Sequence, residues 1–273
     1  MFETILENVR RSHPLVHSIT NYVTANDCAN LLLACGASPI MADDPGEAPE
    51  ITARCAGLYL NLGTLQQGKI PSFFLCGHEA NRLNLPIVLD PVGVGSSTLR
   101  TSTALRLLQE LHPTVIRGNS SEIKALASGC AGESGVDAAE CDQVTEDTLA
   151  DAAAFVKRFA ARTGAVVAMT GAIDIIADGQ QAYCVRNGHP MMAFVTGAGC
   201  QLSALTAAFV SANPHAPLLS AVAAACAMGL AGEIAHSRLA PLDGSAAYRG
   251  YLIDAIYNLT PQQLEAGSKR EPL

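Results

Sequence analysis

The fold is decided by residues 86–119, which read PIVLDPVGVGSSTLRTSTALRLLQELHPTVIRGN. This segment opens with a short apolar run at 86–93 and closes with another at 114–119, and each is continuous enough for a buried parallel strand. Between them, residues 101–113 carry apolar side chains at helical spacing. A strand, a helix and a second strand in this order predict a βα repeat around a parallel sheet.

The same alternation continues on both sides of this unit. Apolar runs at residues 38–42, 58–63 and 165–171 predict further strands, and residues 24–36 and 145–163 predict helices. In residues 174–188, Asp178-Gly179 separates two strand-like runs, which predicts an antiparallel hairpin at an edge of the sheet. Beyond Cys200 the pattern is wholly helical. We therefore expect an α/β fold in three layers, with a mostly parallel central sheet and a helical C-terminal third. No linker or repeat divides residues 1–273, which predicts one domain with a flexible tail over residues 261–273.

Composition excludes several classes of function. The formal net charge is −8 and only 15% of the residues are charged, so we expect no binding of nucleic acid or of an anionic membrane surface. The longest apolar stretch, residues 218–232, is predicted to be too short and too weakly apolar to span a membrane. The nine cysteines form no C-x-x-C pair, and Glu3 and Glu7 interrupt any apolar signal segment. We therefore expect free thiols and a location in the cytoplasm.

Two glycine-rich stretches resemble nucleotide-binding motifs without completing them. Residues 63–70, GTLQQGKI, match a phosphate-binding loop as far as Lys69, but Ile70 stands where that motif needs a hydroxyl for magnesium. We interpret this stretch as a turn after a strand. Residues 90–98, DPVGVGSST, have Thr98 in place of the third glycine of a dinucleotide-binding turn, which weakens that interpretation too.

The segment with the most chemical information is residues 195–209, VTGAGCQLSALTAAF. Gly197 and Gly199 flank a single residue just before an apolar helical run, which places the backbone N–H groups of residues 197–200 at the positive end of a helix. Such a cradle suits an anion, above all a phosphoryl group in transfer. For this segment taken alone, a glycine turn before a helix is the alternative interpretation.

Polar residues also follow two neighbouring predicted strands. Asp90 ends one of them, and Arg117, Asn119 and Glu122 mark the end of the next. Because ligands collect at the carboxyl ends of parallel strands, these side chains are expected in one crevice with residues 197–200. Asp90 and Glu122 are candidate ligands of Mg²⁺, directly or through water. The alternatives are a turn-forming aspartate and a first-turn helix acid, and for either residue alone the alternative is preferred.

Another predicted strand end supplies Thr170 and Gly171, which suit hydrogen bonds to a phosphate or a ribose. Toward the N-terminus, Met41 lies near the end of the first predicted strand, residues 38–42. A thioether packs well against a flat heteroaromatic ligand. Spacing alone favours the alternative that Met41 fills a gap in the core.

Taken together, these motifs resemble those of the ribokinase-like superfamily. The matching elements are D-P-V-G at 90–93, N-x-x-E at 119–122, T-G at 170–171 and T-G-A-G-C at 196–200. The N-terminal stretch HSITNYVTANDCANLLLACGASPIMADDPGE, residues 17–47, narrows the resemblance to the hydroxyethylthiazole kinases of thiamine salvage. This resemblance covers roughly residues 13–260. It implies transfer of the ATP γ-phosphoryl group to the primary alcohol of 4-methyl-5-(2-hydroxyethyl)thiazole.

The resemblance also implies a role for each site residue. It makes Met41, Gly197 and Asn21 contacts of the thiazole, and it assigns the anion hole to Gly197, Ala198, Gly199 and Cys200. It assigns the binding of ATP to Arg117, Asn119, Thr170 and Gly171. It assigns the binding of Mg²⁺ to Asp90 and Glu122. Members of this family form homotrimers with active sites between subunits, so Asn21 is expected to act on a neighbour's ligand.

Cys200 stands where most of the superfamily has an aspartate base, as is usual in the thiazole kinase branch. A thiol at a helix N-terminus is expected to have a lowered pKa, so that some thiolate accepts the alcohol proton. Nearby phosphates oppose this effect. Because the phosphoryl transition state is loose, a strong base is not essential. Ala198 replaces a threonine that is frequent in such loops, which removes one hydroxyl donor.

Two other functions are compatible with the sequence. The first is a kinase of the same fold that acts on another heterocyclic alcohol, such as a pyridoxal-type or hydroxymethylpyrimidine-type substrate. The second is a module that binds a nucleotide or metabolite without turnover. The joint presence of Asp90, Glu122 and the glycine cradle disfavours the second, because binding alone does not need a metal and an anion hole at the γ-phosphate.

Overall fold

The computed structural model describes residues 2–131 and 144–273. Within these ranges the strands form one sheet. The strands are β1 (Leu15–Ile19), β2 (Ser38–Ile40), β3 (Gly57–Asn61), β4 (Ile87–Asp90), β5 (Val115–Asn119), β6 (Val166–Thr170), β7 (Asp174–Ala177), β8 (Ala182–Val185) and β9 (Arg270–Pro272). The α-helices are α1 (Phe2–Ser12), α2 (Ala25–Cys35), α3 (Ala48–Thr52), α4 (Ile70–Arg82), α5 (Thr98–Glu110), α6 (Ser120–Ala131), α7 (Leu149–Thr163), α8 (Ala198–Ala212), α9 (Pro217–Ser237), α10 (Ser245–Asn258) and α11 (Pro261–Gly267).

The sheet has the strand order β2-β1-β3-β4-β5-β6-β7-β8-β9. Its first six strands are parallel, and β7, β8 and β9 continue from β6 in antiparallel pairs. The parallel part places the carboxyl ends of β1 to β6 along one edge. In the register of the sheet, Asn61 at the end of β3 lies beside Asp90 of β4, and Asn119 of β5 lies beside Thr170 of β6.

Successive side chains of a strand point to opposite faces of the sheet, so each strand contributes to two cores, one on each face. In β3, Leu58 and Leu60 belong to the core shared with α4 to α7, whereas Tyr59 belongs to the core shared with α1, α2 and α8 to α10. Helix α8 is buried on all sides, since every residue from 200 to 210 is buried. A helix that is apolar all round sits inside a fold, and this one packs on β3 and β4. Its N-terminus therefore reaches the carboxyl edge of the sheet.

The sequence patterns predicted most of this arrangement. The strands expected at 38–42, 58–63, 86–93, 114–119 and 165–171 are β2 to β6, each shorter than its apolar run, and β4 is only half as long. The hairpin around Asp178-Gly179 is present as β7 and β8. Strand β1 was not predicted, because the polar residues His17 and Ser18 interrupt its apolar pattern. Both side chains are nevertheless buried.

Two expectations about the C-terminal region were wrong. Residues 261–273 are not a flexible tail, because they form α11 and β9. The hairpin of β7 and β8 does not lie at the edge of the sheet, because β9 pairs with β8. Helix α11 begins with a capping box between Thr260 and Gln263, and its Leu264 is fully buried. The segment is also held to the N-terminal helix, since the Phe2 amide donates to a Glu265 carboxylate oxygen at 2.6 Å. The polar composition of this segment concealed these contacts.

The expectation about the apolar stretch 218–232 also needs correction. In the described residues one helix, α9, is long and apolar enough to cross a membrane by length and composition alone, with a mean hydropathy of 1.8. However, 78% of its apolar window is buried inside the fold, as in the core helix of a soluble protein, so length and composition are weak evidence here for a membrane span. Seven cysteines are free and buried, as expected, and the side chains of Cys130 and Cys141 lie outside the described residues.

We predict that α11 contributes to global stability. Changing Leu264→Ala removes a fully buried side chain and should lower the free energy of unfolding by about 2 to 5 kcal/mol. The matched control is Leu273→Ala, which changes a side chain that is 41% exposed and should cost no more than about 0.5 kcal/mol. Urea unfolding followed by circular dichroism measures both. Equal effects of the two changes would contradict the docking of α11.

Candidate active site

Polar side chains converge where the carboxyl ends of β3 to β6 meet the N-terminus of α8. At the centre lies Asp90, whose side chain is fully buried. Its Oδ2 atom accepts hydrogen bonds from Ser203 Oγ at 2.8 Å, from Asn61 Nδ2 at 3.0 Å and from the Tyr59 hydroxyl at 3.3 Å. Its Oδ1 atom is buried and has no hydrogen-bond partner among the described residues. One oxygen is therefore fixed and the other remains available to a ligand.

Burial raises the pKa of Asp90 to about 6. Desolvation is the main cause, because it disfavours the ionised carboxylate. The charge of Arg117 opposes this shift and the charge of Glu122 adds to it. Arg117 Nη1 lies 4.0 Å from Asp90 Oδ2, so the two charges are close without a tight hydrogen bond.

Glu122 is held by two backbone amides. Its Oε1 atom accepts from the Gly93 N–H at 2.8 Å, and its Oε2 atom accepts from the Asn119 N–H at 2.9 Å. Asn119 Oδ1 accepts in turn from the Glu122 N–H at 2.8 Å. This is a reciprocal cap at the start of α6, with Asn119 at the N-cap. The alternative of a first-turn helix acid is thus correct as far as structure goes, and Asn119 uses its side-chain oxygen in the same cap.

Arg117 lies between the strand ends and α8. Its Nη2 atom donates to Thr170 Oγ1 at 2.6 Å, and its Nε atom is buried without a partner among the described residues. A Cβ atom added to Gly199 would lie 2.5 Å from Arg117 Nη1. The glycine at position 199 therefore lets the guanidinium group pack directly on the first turn of α8.

The N-terminus of α8 offers fewer free backbone N–H groups to an anion than the sequence predicted. Gly197 is the N-cap with a φ of 79°, and an added Cβ atom there would lie 2.1 Å from Thr24 Cγ2. The Ala198 N–H already donates to the Val195 carbonyl oxygen at 3.2 Å. In the described part of the chain, the N–H groups of Gly199 and Cys200 have no acceptor, as is usual for a first helical turn. A 3-10 turn at Pro190–Phe194 precedes this cap.

Cys200 lies in this first turn of α8, and its side chain is 9% exposed. Its Sγ atom accepts a hydrogen bond from Asn21 Nδ2 at 3.4 Å. Burial raises the pKa of the Cys200 thiol, and the negative charge of Asp90 adds to that effect. The expected lowering of this pKa was therefore wrong, because desolvation and a nearby carboxylate outweigh the helix N-terminus.

Asn21 connects this thiol to the centre of the site. Its Nδ2 atom also donates to Asn61 Oδ1 at 3.0 Å, and Asn61 in turn donates to Asp90. Asn21 Oδ1 accepts from the Thr24 N–H at 3.1 Å, which fixes the turn that follows β1. Within its own chain the Asn21 amide thus contacts the Cys200 thiol, and its expected action on a neighbour's ligand stays a prediction.

Two of the predicted residues lie at the margins. Met41 follows β2 and is 38% exposed, so it does not fill a core gap. Gly171 closes the turn before β7, because its N–H donates to Asp174 Oδ1 at 2.9 Å and is not free for a phosphate. Burial raises the pKa of Asp174 to about 6.

Sequence reasoning missed Tyr59, Asn61 and Ser203. Asn61 interrupts the apolar run LYLNLG at its carboxyl end, and such a polar residue at a strand end was the signal that could have identified it. Ser203 lies one helical turn beyond Cys200 and contacts Asp90 from α8. Tyr59 gave no signal, because an aromatic residue in a buried strand is ordinary.

We predict that Asp90→Asn stabilises the metal-free protein at neutral pH. A carboxyl whose folded pKa is about 6, against 3.8 for its ordinary value, favours the folded state only while it is protonated. That contribution is lost as pH rises through about 6. The neutral amide should therefore raise the free energy of unfolding by on the order of 2 kcal/mol at about pH 8, and the gain should shrink toward about pH 5.

Chemical denaturation in the presence of a chelator across this pH range measures the difference. The matched control is Asp147→Asn, on the surface, which should change stability by no more than about 0.5 kcal/mol. A gain for Asp90→Asn that does not depend on pH would contradict the desolvation of this carboxylate.

Comparison with known proteins places this arrangement in a family. The model of the hydroxyethylthiazole kinase family matches residues 6–262. A hydroxyethylthiazole kinase of Clostridium acetobutylicum is 55% identical over 271 residues, which cover 99% of each chain. A solved structure of a hydroxyethylthiazole kinase protein from Pyrococcus horikoshii OT3 is 34% identical, with a TM-score of 0.88, and the match covers 100% of this chain and 98% of that one.

A more distant structure supports the fold alone. The pyridoxal kinase from Staphylococcus aureus in complex with ADP has a TM-score of 0.58 at 16% identity, with 80% of this chain and 86% of that chain covered. The expected three-layer ribokinase-like fold and the resemblance stated from the motifs are both confirmed. This chain belongs to the hydroxyethylthiazole kinase family.

Proposed function

We propose that this protein transfers the γ-phosphoryl group of ATP to the primary alcohol of 4-methyl-5-(2-hydroxyethyl)thiazole, with Mg²⁺ as cofactor and ADP as the second product, in thiamine salvage in the cytoplasm. The observation that carries the proposal is the first turn of α8. There, the N–H groups of Gly199 and Cys200 have no acceptor among the described residues, the Arg117 guanidinium group packs against Gly199, and Asp90 Oδ2 lies 4.0 Å from Arg117 Nη1. Amide donors, a cation and a carboxylate at one point suit a phosphoryl group in transfer.

The donor side of the site is formed by β4, β5 and β6. Arg117 and Thr170 are hydrogen-bonded to each other and supply a cation and a hydroxyl for the phosphates of ATP. A cavity of about 400 Å³ opens beyond Asn119, between α6 and α7, with Phe155 and Met169 in its lining. Its size fits the base of a nucleotide, and Phe155 and Met169 give that base apolar surface to pack against.

The residues present fit a magnesium ion. In the described part of the chain, no group of three or more His, Cys, Asp or Glu side chains could hold a metal. Magnesium needs only one or two carboxylates when phosphates and water complete its shell. Asp90 Oδ1, buried and without a partner, is suited to that role. Glu122, whose oxygens are already held by amides, suits contact through water. An ion held there would supply positive charge against the phosphates.

The acceptor side is formed by the segments that follow β1 and β2 and by the start of α8. We propose that Met41 and Gly197 contact the thiazole and that Asn21 orients the Cys200 thiol at the hydroxyl. Because the pKa of this thiol is raised, little thiolate exists near neutral pH, so Cys200 gives limited help as a base. The loose transition state makes such help modest in any case.

We also propose a homotrimer with active sites between subunits, as the resemblance implies. Tyr22 and Val23 follow the buried Asn21 and are 72% and 53% exposed. Two apolar side chains exposed beside the acceptor side provide a surface for a neighbouring subunit.

The experiment that tests the function is a coupled assay of ADP release with the thiazole alcohol, ATP and Mg²⁺. The expected product has the mass of the alcohol plus one phosphate. Turnover restricted to a pyridoxal-type or pyrimidine-type alcohol would replace the substrate in this proposal. Calorimetric binding of ATP with no turnover on any of these alcohols would instead indicate a binding module.

We predict a small role for the thiol in catalysis. Cys200→Ala should slow turnover by no more than about a hundredfold, because general-base help is worth little at a loose transition state. Cys200→Asp should keep or raise turnover, since its carboxylate ionises more readily than the thiol. Cys226→Ala, a buried thiol on α9, is the matched control and should leave turnover unchanged. A folded Cys200→Asp protein without activity would show that the thiol has another role.

We predict a strong effect of a single methyl group on the first turn of α8. Gly199→Ala places a Cβ atom 2.5 Å from Arg117 Nη1 and must displace the guanidinium group. Displacement of a positioned group by about 1 Å can cost about a hundredfold in rate, and we expect a loss of that size. Gly250→Ala on α10 is the matched control, since nothing lies within 4 Å of its added Cβ atom. Near-normal turnover for Gly199→Ala would remove Arg117 from the mechanism.

A further inference from the structure

Lys69 belongs to the incomplete phosphate-loop motif and has no role in the site described so far. It ends a 3-10 turn at Gln67–Lys69 and lies directly before α4. Its side chain is only 11% exposed, which is unusual for a lysine. A buried ammonium group needs partners that compensate for lost hydration.

The Lys69 ammonium group joins two separate segments of the acceptor side. Its Nζ atom donates to the Thr20 carbonyl oxygen at 3.0 Å and lies 2.8 Å from Asp43 Oδ2. Thr20 immediately precedes Asn21, whose amide contacts the Cys200 thiol. Asp43 lies two residues after Met41. The lysine therefore bridges the segment that follows β1, residues 20–24, and the segment that follows β2, residues 41–44.

The second of these segments is fixed by side chains from other elements as well. His17 Nε2 lies 2.7 Å from the Ala42 carbonyl oxygen, and Ser72 Oγ donates to the Asp43 carbonyl oxygen at 2.7 Å. Neither of these contacts reaches the segment that follows β1. Within the described residues, the hydrogen bond and the ion pair of the Lys69 side chain both go to the two acceptor-side segments.

Local electrostatics give no other reason for a lysine at this position. A cation at the N-terminus of a helix opposes the helix dipole, and Lys69 is the N-cap residue of α4. Its side chain also makes no cap hydrogen bond there. Where a residue breaks a local rule, a functional or positional requirement is the usual cause.

We propose that Lys69 is a positioning residue for the alcohol, which holds the 20–24 and 41–44 segments together on either side of the acceptor. This inference rests on the proposed function, because it assumes that these segments line the acceptor pocket. Loss of the bridge lets Met41 and Asn21 move apart, so the ordering of the two segments must then come from the binding energy of the substrate. The donor side, around Arg117 and Thr170, stays in place.

The test is a set of steady-state measurements with the thiazole alcohol and with ATP. Lys69→Met should raise the KM for the alcohol about tenfold, while kcat and the KM for ATP stay within about twofold. Lys69→Arg keeps a cation and should keep most of the alcohol affinity, with KM raised no more than about threefold. Lys269→Met is the matched control, since Lys269 makes an ion pair of the same length, 2.8 Å, with Glu233 away from the acceptor side.

A double-mutant cycle tests the bridge itself. Asp43 is 58% exposed, so Asp43→Ala should fold normally and raise the KM for the alcohol by only about threefold. The double variant should match Lys69→Met alone, because both changes remove the same connection. Should Lys69→Met fail to fold, Asp43→Ala still tests the inference, and an unchanged KM for the alcohol in that variant overturns it.

The outcomes separate this inference from the proposed function. If the wild-type protein turns over this alcohol and folded Lys69→Met has the same KM for it, the positioning role is overturned and the proposed function stays intact. A fall in kcat with both KM values unchanged also overturns it, because Lys69 would then act on transfer. Absence of wild-type turnover with this alcohol overturns the proposed function and the inference together.

Discussion

The site depends on one buried carboxylate held between the sheet and its central helix. Asp90 ends β4, and Ser203 reaches it from α8 while Asn61 reaches it from β3. These donors satisfy one carboxylate oxygen, so the helix start and the strand ends keep a fixed separation. Burial of the charge is unfavourable on its own, and the nearby Arg117 offsets part of that cost. A stable ionised state therefore calls for a cation, which the proposed chemistry supplies.

Most of the fold could be predicted from the sequence, because periodicity reports burial directly. Continuous apolar runs located β2 to β6, and Asp178-Gly179 located the hairpin. The failures were of two physical kinds. In β1, His17 and Ser18 are polar yet buried by partners distant in the chain. In residues 261–273, a polar sequence is ordered by strand pairing and by contacts with α1, which no local pattern records.

The candidate site was predictable in part of its membership but not in its electrostatics. Strand ends identified Asp90, Arg117 and Thr170, which the structure brings together with the first turn of α8. The direction of the Cys200 pKa could not be inferred, since it depends on the depth of burial and on the distance to a carboxylate. Asn61 escaped notice because its role comes from the register of two neighbouring strands.

Glu122 illustrates how closely architecture and chemistry are joined in this molecule. The carboxylate that we propose for contact with magnesium through water also ties the loop after β4 to the first turn of α6. Any replacement there disturbs the local backbone as well as the charge. A screen of all single substitutions scored by cellular abundance would thus group Glu122 with the buried leucines, whereas under the proposed function a screen scored by kinase activity would group it with Asp90.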